Sequence, residues 1–458
     1  MIPSFTRLYM KKVFSENLVE VFGKALFHYV PKIMNYIDEI PDRRKNCLYT
    51  MRYLIISEMM MFLSEGKSQR FTETAFKETN FLENINELIE GEIEKIPDAE
   101  IYTDVFKTIS KEEIENFQKK IIEHTIRNKF YEGNKILGKY NCALDGSRFQ
   151  KAHYEVTSDW LSETKEEKTS WYLSMLDLKL IANGMAISIL SEMINNEDKK
   201  VGNETEEEIK RKSEEKIKQD CELNAAKRLL ENLREKYPKK PFRIIADSLY
   251  PSEGLIKLCE DNELEYIMVL KDKKIPTILE EFLSLVSMPN GNRMLIEQVK
   301  KIKLIMWENN IDYRRNNVNV IREITKDRET GKDSVWMWIT NKKVTEKNVE
   351  TLIKCAKSRD YIENQGFKEQ KVTSGIEMEH VYSKNINAIR VIYTIIQITH
   401  MIMQIIEHSD ICGEFKEKYG SVKVFSRKFY AHVTERYINI KIIQIKIQIR
   451  FDKSLIIC

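Results

Sequence analysis

"TSWYLSMLDLKLIANGMAISILSEMI" occupies residues 169–194. Two apolar, β-prone runs flank Asn183-Gly184, a strong local signal for a hairpin closed by a type I′ turn. The stretch places an antiparallel pair of strands in the middle of the chain. Asp177 stands within the first run, before "LKLIANG", and is expected to face solvent.

Reading outward, "YNCALDGSRF" (140–149) is a short apolar run ending in Asp145-Gly146, a buried strand running into a turn. After the hairpin, "NNEDKKVGNETEEEIKRKSEEK" (195–216) reads as an exposed loop leading into a helix. Leu223, Ala226, Leu230, Leu233 and Tyr237 then recur at helical spacing, and Pro238 ends that helix. "FRIIADSLY" is an apolar run that stops at Asp247, and Ser252 is the N-cap of the short helix "SEGLIKLCEDN". "EYIMVLKD" is a further buried strand. From about 275 to 335 the pattern is less regular and alternates as antiparallel strands do, with Trp307 and basic residues among them. "SVWMWITN" is one more strand. It is followed by the helical stretches "NVETLIKCAKS" and "RDYIENQGFKEQK" (Arg359–Lys371). Strands alternating with helices indicate a mixed α/β domain. Residues 1 to about 130 read as helical, with basic clusters such as "DRRKNCLYTMR" that are ordinarily solvated surface.

The totals bound the function loosely. A chain of 458 residues holds two or three domains and a large core. A count of 74 basic against 71 acidic residues neither demands nor excludes nucleic acid. Seven scattered cysteines without C-x-x-C spacing argue against a disulfide framework and a thiolate zinc site. The seven histidines form no zinc motif, and His380 reads as structural. There is no phosphate-binding glycine loop. The start, "MIPSFTRLYMKKVF", lacks the apolar core of a signal peptide. "VIYTIIQITHMIMQII" from Val391 is short for a membrane span and carries a polar stripe of Thr394, Gln397, His400 and Gln404, so it is expected to be a buried helix. No membrane partner is expected, and the protein is expected to be cytoplasmic.

Asp145 and Asp247 each end an apolar run. On adjacent buried strands such residues share one edge of the sheet, where two bare carboxylates repel and a divalent cation removes the conflict. Oxygen ligands select hard ions, Mg²⁺ or Mn²⁺. Glu363, on a packed helix, would complete a two-ion site of the kind used in phosphodiester chemistry. Each aspartate alone is more often a turn residue.

"ALDGS", "IIADSLY" and "RDYIENQGF" together resemble the DDE transposases of bacterial insertion sequences. The similarity is to the group whose third carboxylate lies in a Y-x-x-R-x-x-x-E-x-x-x-x-x-x-K helix, and it covers roughly residues 140 to 385. It implies an RNase H-like mixed sheet flanked by helices, with a β-rich insertion at about 275–335 before the last catalytic helix. It also implies catalytic, metal-binding roles for Asp145, Asp247 and Glu363, and a phosphate-gripping role for Arg359. Two motif positions depart: Ala356 stands at the tyrosine and Gln370 at the lysine, with Lys368 and Lys371 flanking the latter as substitutes for DNA contact. Trp336 matches a strand tryptophan that stacks on a flipped base in some relatives, although strand tryptophans usually pack in cores. The division implied is a helical N-terminal DNA-binding or dimerisation region (1–135), a catalytic domain (136–410) and a C-terminal tail (411–458), helical and then strand-like. The function implied is metal-dependent cleavage at transposon ends, with two Mg²⁺ or Mn²⁺ ions, followed by strand transfer into target DNA by at least a homodimer. The alternatives are a nuclease of the same fold that does not join strands, and an inactive, transposase-derived DNA-binding protein.

Overall fold

The computed structural model describes residues 15–451 apart from 46, 158–159, 195–213, 272–275, 314, 374–375, 377 and 447–448. The first fourteen residues and the loop read at 195–213 lie outside the described residues. The chain begins with helices α1 (Leu18–Tyr29), α2 (Ile33–Asp38), α3 (Met51–Leu63), α4 (Gln69–Ala75), α5 (Phe81–Ile89), α6 (Ala99–Phe106) and α7 (Lys111–Arg127). Side chains start several of them. Thr50 caps α3, and Ser110 and Glu113 form a reciprocal capping box at α7.

The central sheet opens with β1 (Tyr140–Ala152), β2 (Leu161–Lys165), β3 (Lys168–Ala182) and β4 (Met185–Ile194). The β3–β4 turn has Asn183 at φ 51° and Gly184 at φ 78°, the left-handed pair that a type I′ turn requires. Then come α8 (Glu214–Lys236), β5 (Phe242–Ala246), α9 (Glu253–Asp261) and β6 (Glu265–Val269). Ser252 caps α9 by accepting from the backbone N–H of Leu255. β1, β5 and β6 are parallel neighbours, while β3 pairs antiparallel with β1 and β4 with β3. Alternation splits the buried strands between two cores. Ile244 and Ala246 of β5 and Tyr266 and Met268 of β6 join the larger core, whereas Ile245 and Ile267 join a smaller one beneath α11 (Val349–Lys357).

The region at 275–335 is only partly strand. It begins with a helix, α10 (Pro276–Ser287), and continues as β7 (Asn292–Glu297), β8 (Lys301–Tyr313) and β9 (Asn316–Asp327), followed by β10 (Asp333–Thr340). These strands do not form a separate body. β10 pairs with β6, so the insertion extends the same sheet in the order β2-β3-β1-β5-β6-β10-β9-β8-β7.

Two expectations need correction. Asp145-Gly146 is not a turn, because β1 runs on to Ala152 with β3 paired along it. Asp177 does not face solvent; it is fully buried. Its carboxylate accepts from Ser188 Oγ at 2.7 Å and Tyr393 Oη at 2.9 Å, and it pairs with Lys179 Nζ at 3.1 Å. The apolar run is covered on both faces, and a carboxyl buried there needs these partners.

α12 (Ile386–His408) is the one helix among the described residues long and apolar enough to cross a membrane, and it is the core helix of the assembly. Its polar stripe is buried and partnered. Gln397 meets Lys179 Nζ at 2.6 Å and Gln370 at 2.8 Å, His400 meets Glu369 at 3.0 Å, and Gln404 donates to the Gln365 carbonyl at 2.8 Å. The tail folds back as α13 (Phe415–Tyr419), α14 (Val422–Glu435) and α15 (Ile440–Gln444). It packs on the N-terminal helices. Asn84 donates to the carbonyls of Val433 and Arg436, and the Leu18 N–H donates to His432 Nδ1.

Candidate active site

β5 ends at Ala246, in register with Leu144 of β1. The next residue on each strand is an aspartate, so Asp145 and Asp247 stand side by side at the carboxyl end of the parallel pair. This edge is where open α/β sheets place their chemistry. Asp247 also shapes its own loop, its Oδ1 accepting from the Leu249 N–H at 2.7 Å.

Glu363 reaches this edge from the far side of α11. Asn141, on the same face of β1 as Asp145 by the two-residue alternation, donates to Ser358 Oγ at 3.4 Å. That contact sets the end of α11 against β1 and brings Arg359 over Asp145. The guanidinium then bridges two carboxylates. Nη1 lies 3.4 Å from Asp145 Oδ2, and Nη2 lies 2.6 Å from Glu363 Oε1. Glu363 sits on a helix wound wide, in π form, over Ile362–Thr373. Local π windings are frequent at functional sites. Gly366 allows a close approach there: a Cβ at this position would lie 3.1 Å from Cδ of the buried Lys179.

A fourth carboxylate escaped the sequence reading. Glu222, near the start of the described part of α8, is buried and accepts from Tyr250 Oη at 2.6 Å. A Cβ on Gly146 would come within 2.7 Å of its Oε1. The signal available was the glycine after Asp145, which marks a close approach, but no motif connects it to Glu222.

Electrostatically the group is acidic around one cation. Burial pushes the Asp145 carboxyl up to about 7; Arg359 opposes this, while Asp247, Glu222 and Glu363 add to it. Burial disfavours the charge on Arg359, yet Glu363, Asp145 and Asp247 hold it above its ordinary value. The donor set is all oxygen and suits a hard divalent cation. Among the described residues no three acidic, histidine or cysteine side chains are drawn together closely enough to hold an ion as they stand. Between Asp145 and Glu363 the positive charge is supplied by the Arg359 guanidinium.

The remaining candidates divide. Gln370, at the motif's lysine position, points into the core and pairs with Gln397. Ala356, at the tyrosine position, is buried in the smaller core. Lys368 is exposed, and Lys371 pairs with Glu379 at 2.9 Å. Trp338 is buried, whereas Trp336 stacks on it at 6.0 Å with 44% of its surface exposed. His380 packs edge-on against Tyr382. Cys47, Cys142, Cys259, Cys355 and Cys412 are free thiols. The sequence matches no protein-family model, and a search of curated proteins finds none similar to it.

Proposed function

We propose that the chain is a DDE transposase with an RNase H-like core. One observation carries the reading: two aspartates directly follow Leu144 and Ala246, the last paired residues of neighbouring parallel strands, and a glutamate 116 positions after the second is tied to the first through Arg359. A strand order with β4, β3, β1, β5 and β6 as neighbours, β1, β5 and β6 parallel, supports the fold assignment.

In this reading Asp145, Asp247 and Glu363 hold one or two Mg²⁺ or Mn²⁺ ions. When bound, the metal activates a water and stabilises the leaving oxygen. The residues themselves position the DNA. Arg359 exchanges its carboxylate partners for a backbone phosphate, which its planar fork suits. Trp336, with its exposed face, offers a platform for an unstacked base. Water first cleaves a phosphodiester at the element's end, leaving a 3′-hydroxyl. That hydroxyl then attacks a target phosphodiester, forming the new ester and displacing a target 3′-oxygen. The partners are transposon-end DNA and target DNA, handled by a homodimer.

Asp145→Asn, Asp247→Asn and Glu363→Gln should each abolish Mg²⁺-dependent nicking while leaving DNA binding within a few-fold. Combining them should cost little more than one alone, because each removes part of the same unit. The assay is nicking of a labelled duplex carrying the DNA that borders the coding region, run beside a gel shift at equal protein. Normal nicking by one variant removes that residue from the site; normal nicking by all three ends the proposal.

A further inference from the structure

Beyond the carboxylates, β1 leads into a second concave surface. Lys151, His153, Tyr154, Lys371, Glu379 and Lys384 line part of a cavity of about 950 Å³. Three lysines face one glutamate there, and that glutamate is held by Lys371. Among the described residues Lys151 and Lys384 have no carboxylate partner. Tyr154 presents 57% of its surface to solvent.

The floor is rigid. At the irregularity in β1, Gln150 takes φ 54° and its N–H donates to the Met378 carbonyl at 3.1 Å. The Lys151 N–H donates to the Glu379 carbonyl at 2.8 Å, and Gln150 Oε1 accepts from the Tyr382 N–H. The segment around 378–382 is thereby clamped to β1, and buried Tyr382 backs it through contacts with Phe62 and Phe149. A surface lined by three lysines and an exposed tyrosine suits a polyanion, whose charge the lysines would neutralise.

The two ends of the π-helix connect the surfaces: Glu363 belongs to the carboxylate site and Lys371 to the trough. Asp145 and Lys151 are six positions apart on β1, at most about 20 Å, because the irregularity at Gln150 shortens the span. With one phosphate per about 3.4 Å of duplex strand, that is at most about six nucleotide steps.

We infer that the trough lined by Lys151, Lys371 and Lys384 seats the DNA backbone within about six nucleotides of the scissile phosphate. The inference rests on the transposase reading for its register, but not for its polarity or its partner. Lys151 and Lys384 set the grip, and Tyr154 covers the sugar face.

The test is the double variant Lys151→Ala/Lys384→Ala, compared with wild type and with a control pair on the C-terminal helices, Lys416→Ala/Lys423→Ala. Duplex binding is measured from low to moderate salt. Removing two phosphate contacts should lower the slope of log K against log salt by about 1.8 and leave the control unchanged. Phosphate-ethylation interference should lose signal at phosphates within about six nucleotides of the cut. Mg²⁺-dependent nicking of a duplex too short to reach the trough should be unaffected. Circular dichroism and a melting curve establish that the variant is folded. An unchanged slope in a folded double variant overturns the inference. If the slope falls but wild type never nicks, the trough stands and the transposase chemistry does not. If wild type shows no salt-dependent DNA binding, both fall.

Discussion

At Asp145, burial and neighbouring charge act together against ionisation, and only Arg359 resists them. The unfolded carboxyl ionises near 3.9, the folded one at about 7. Between these values the folded protein holds the extra proton. The stability this contributes is complete below the unfolded value and is lost as pH rises through about 7. Asp145→Asn cannot ionise and escapes that loss. Without divalent metal, the variant's melting temperature relative to wild type should therefore be higher at pH 8 than at pH 5. The same difference at both pH values would show that Asp145 is not held in this environment.

The π-helix is placed by what lies beneath it. Lys179 of β3 is fully buried, and burial pushes its amine down, countered first by Asp177. It touches Gln397 of α12 and the ring of Phe367, and it lies close against Gly366. Removing one member of a buried ion pair leaves the other uncompensated, at about 3–5 kcal/mol, whereas removing both costs less than the sum. Lys179→Met should accordingly destabilise by about 3 kcal/mol in urea unfolding. Adding Asp177→Asn should recover part of the loss. If the two changes add, the pair is not coupled. The same network favours glutamine at 370: a lysine there would bring a second amine beside Lys179, while glutamine donates to and accepts from Gln397.

Across the whole molecule, the two ends of the chain share one helical layer. α14 and α15 lie on α1, and α14 also contacts α3 and α5. Asn84 joins α5 to the end of α14 through two carbonyls, and the Asn439 N–H donates to Glu20 of α1. A chain ending at His408 would expose the apolar faces of Phe22 and Phe76, which now meet Phe429 and Tyr430. Such a truncation should lose hydrogen-exchange protection in α1 and α5, not only in the deleted region. Retained protection there would show that α1 and α5 do not depend on the C-terminal helices.

Local pattern carried much of this structure. The Asn183-Gly184 turn, the Ser252 cap, the amphipathic period of α8 and the buried helix at 386–408 follow from forces acting within a few residues, so they could be read directly. Asp145, Asp247 and Glu363 were named from short motifs, and the register of β1 with β5 gives two of them a common edge. Other features depend on partners distant in the chain. The burial of Asp177 required Tyr393, 216 positions away, and the inward turn of Gln370 required Gln397. Glu222 entered the site only because α8 packs against the sheet beside Gly146. The insertion joined the central sheet only through the pairing of β10 with β6. Periodicity records which face of an element is apolar. It does not record which element covers that face, and burial, pairing and charge state at each of these positions depend on that cover.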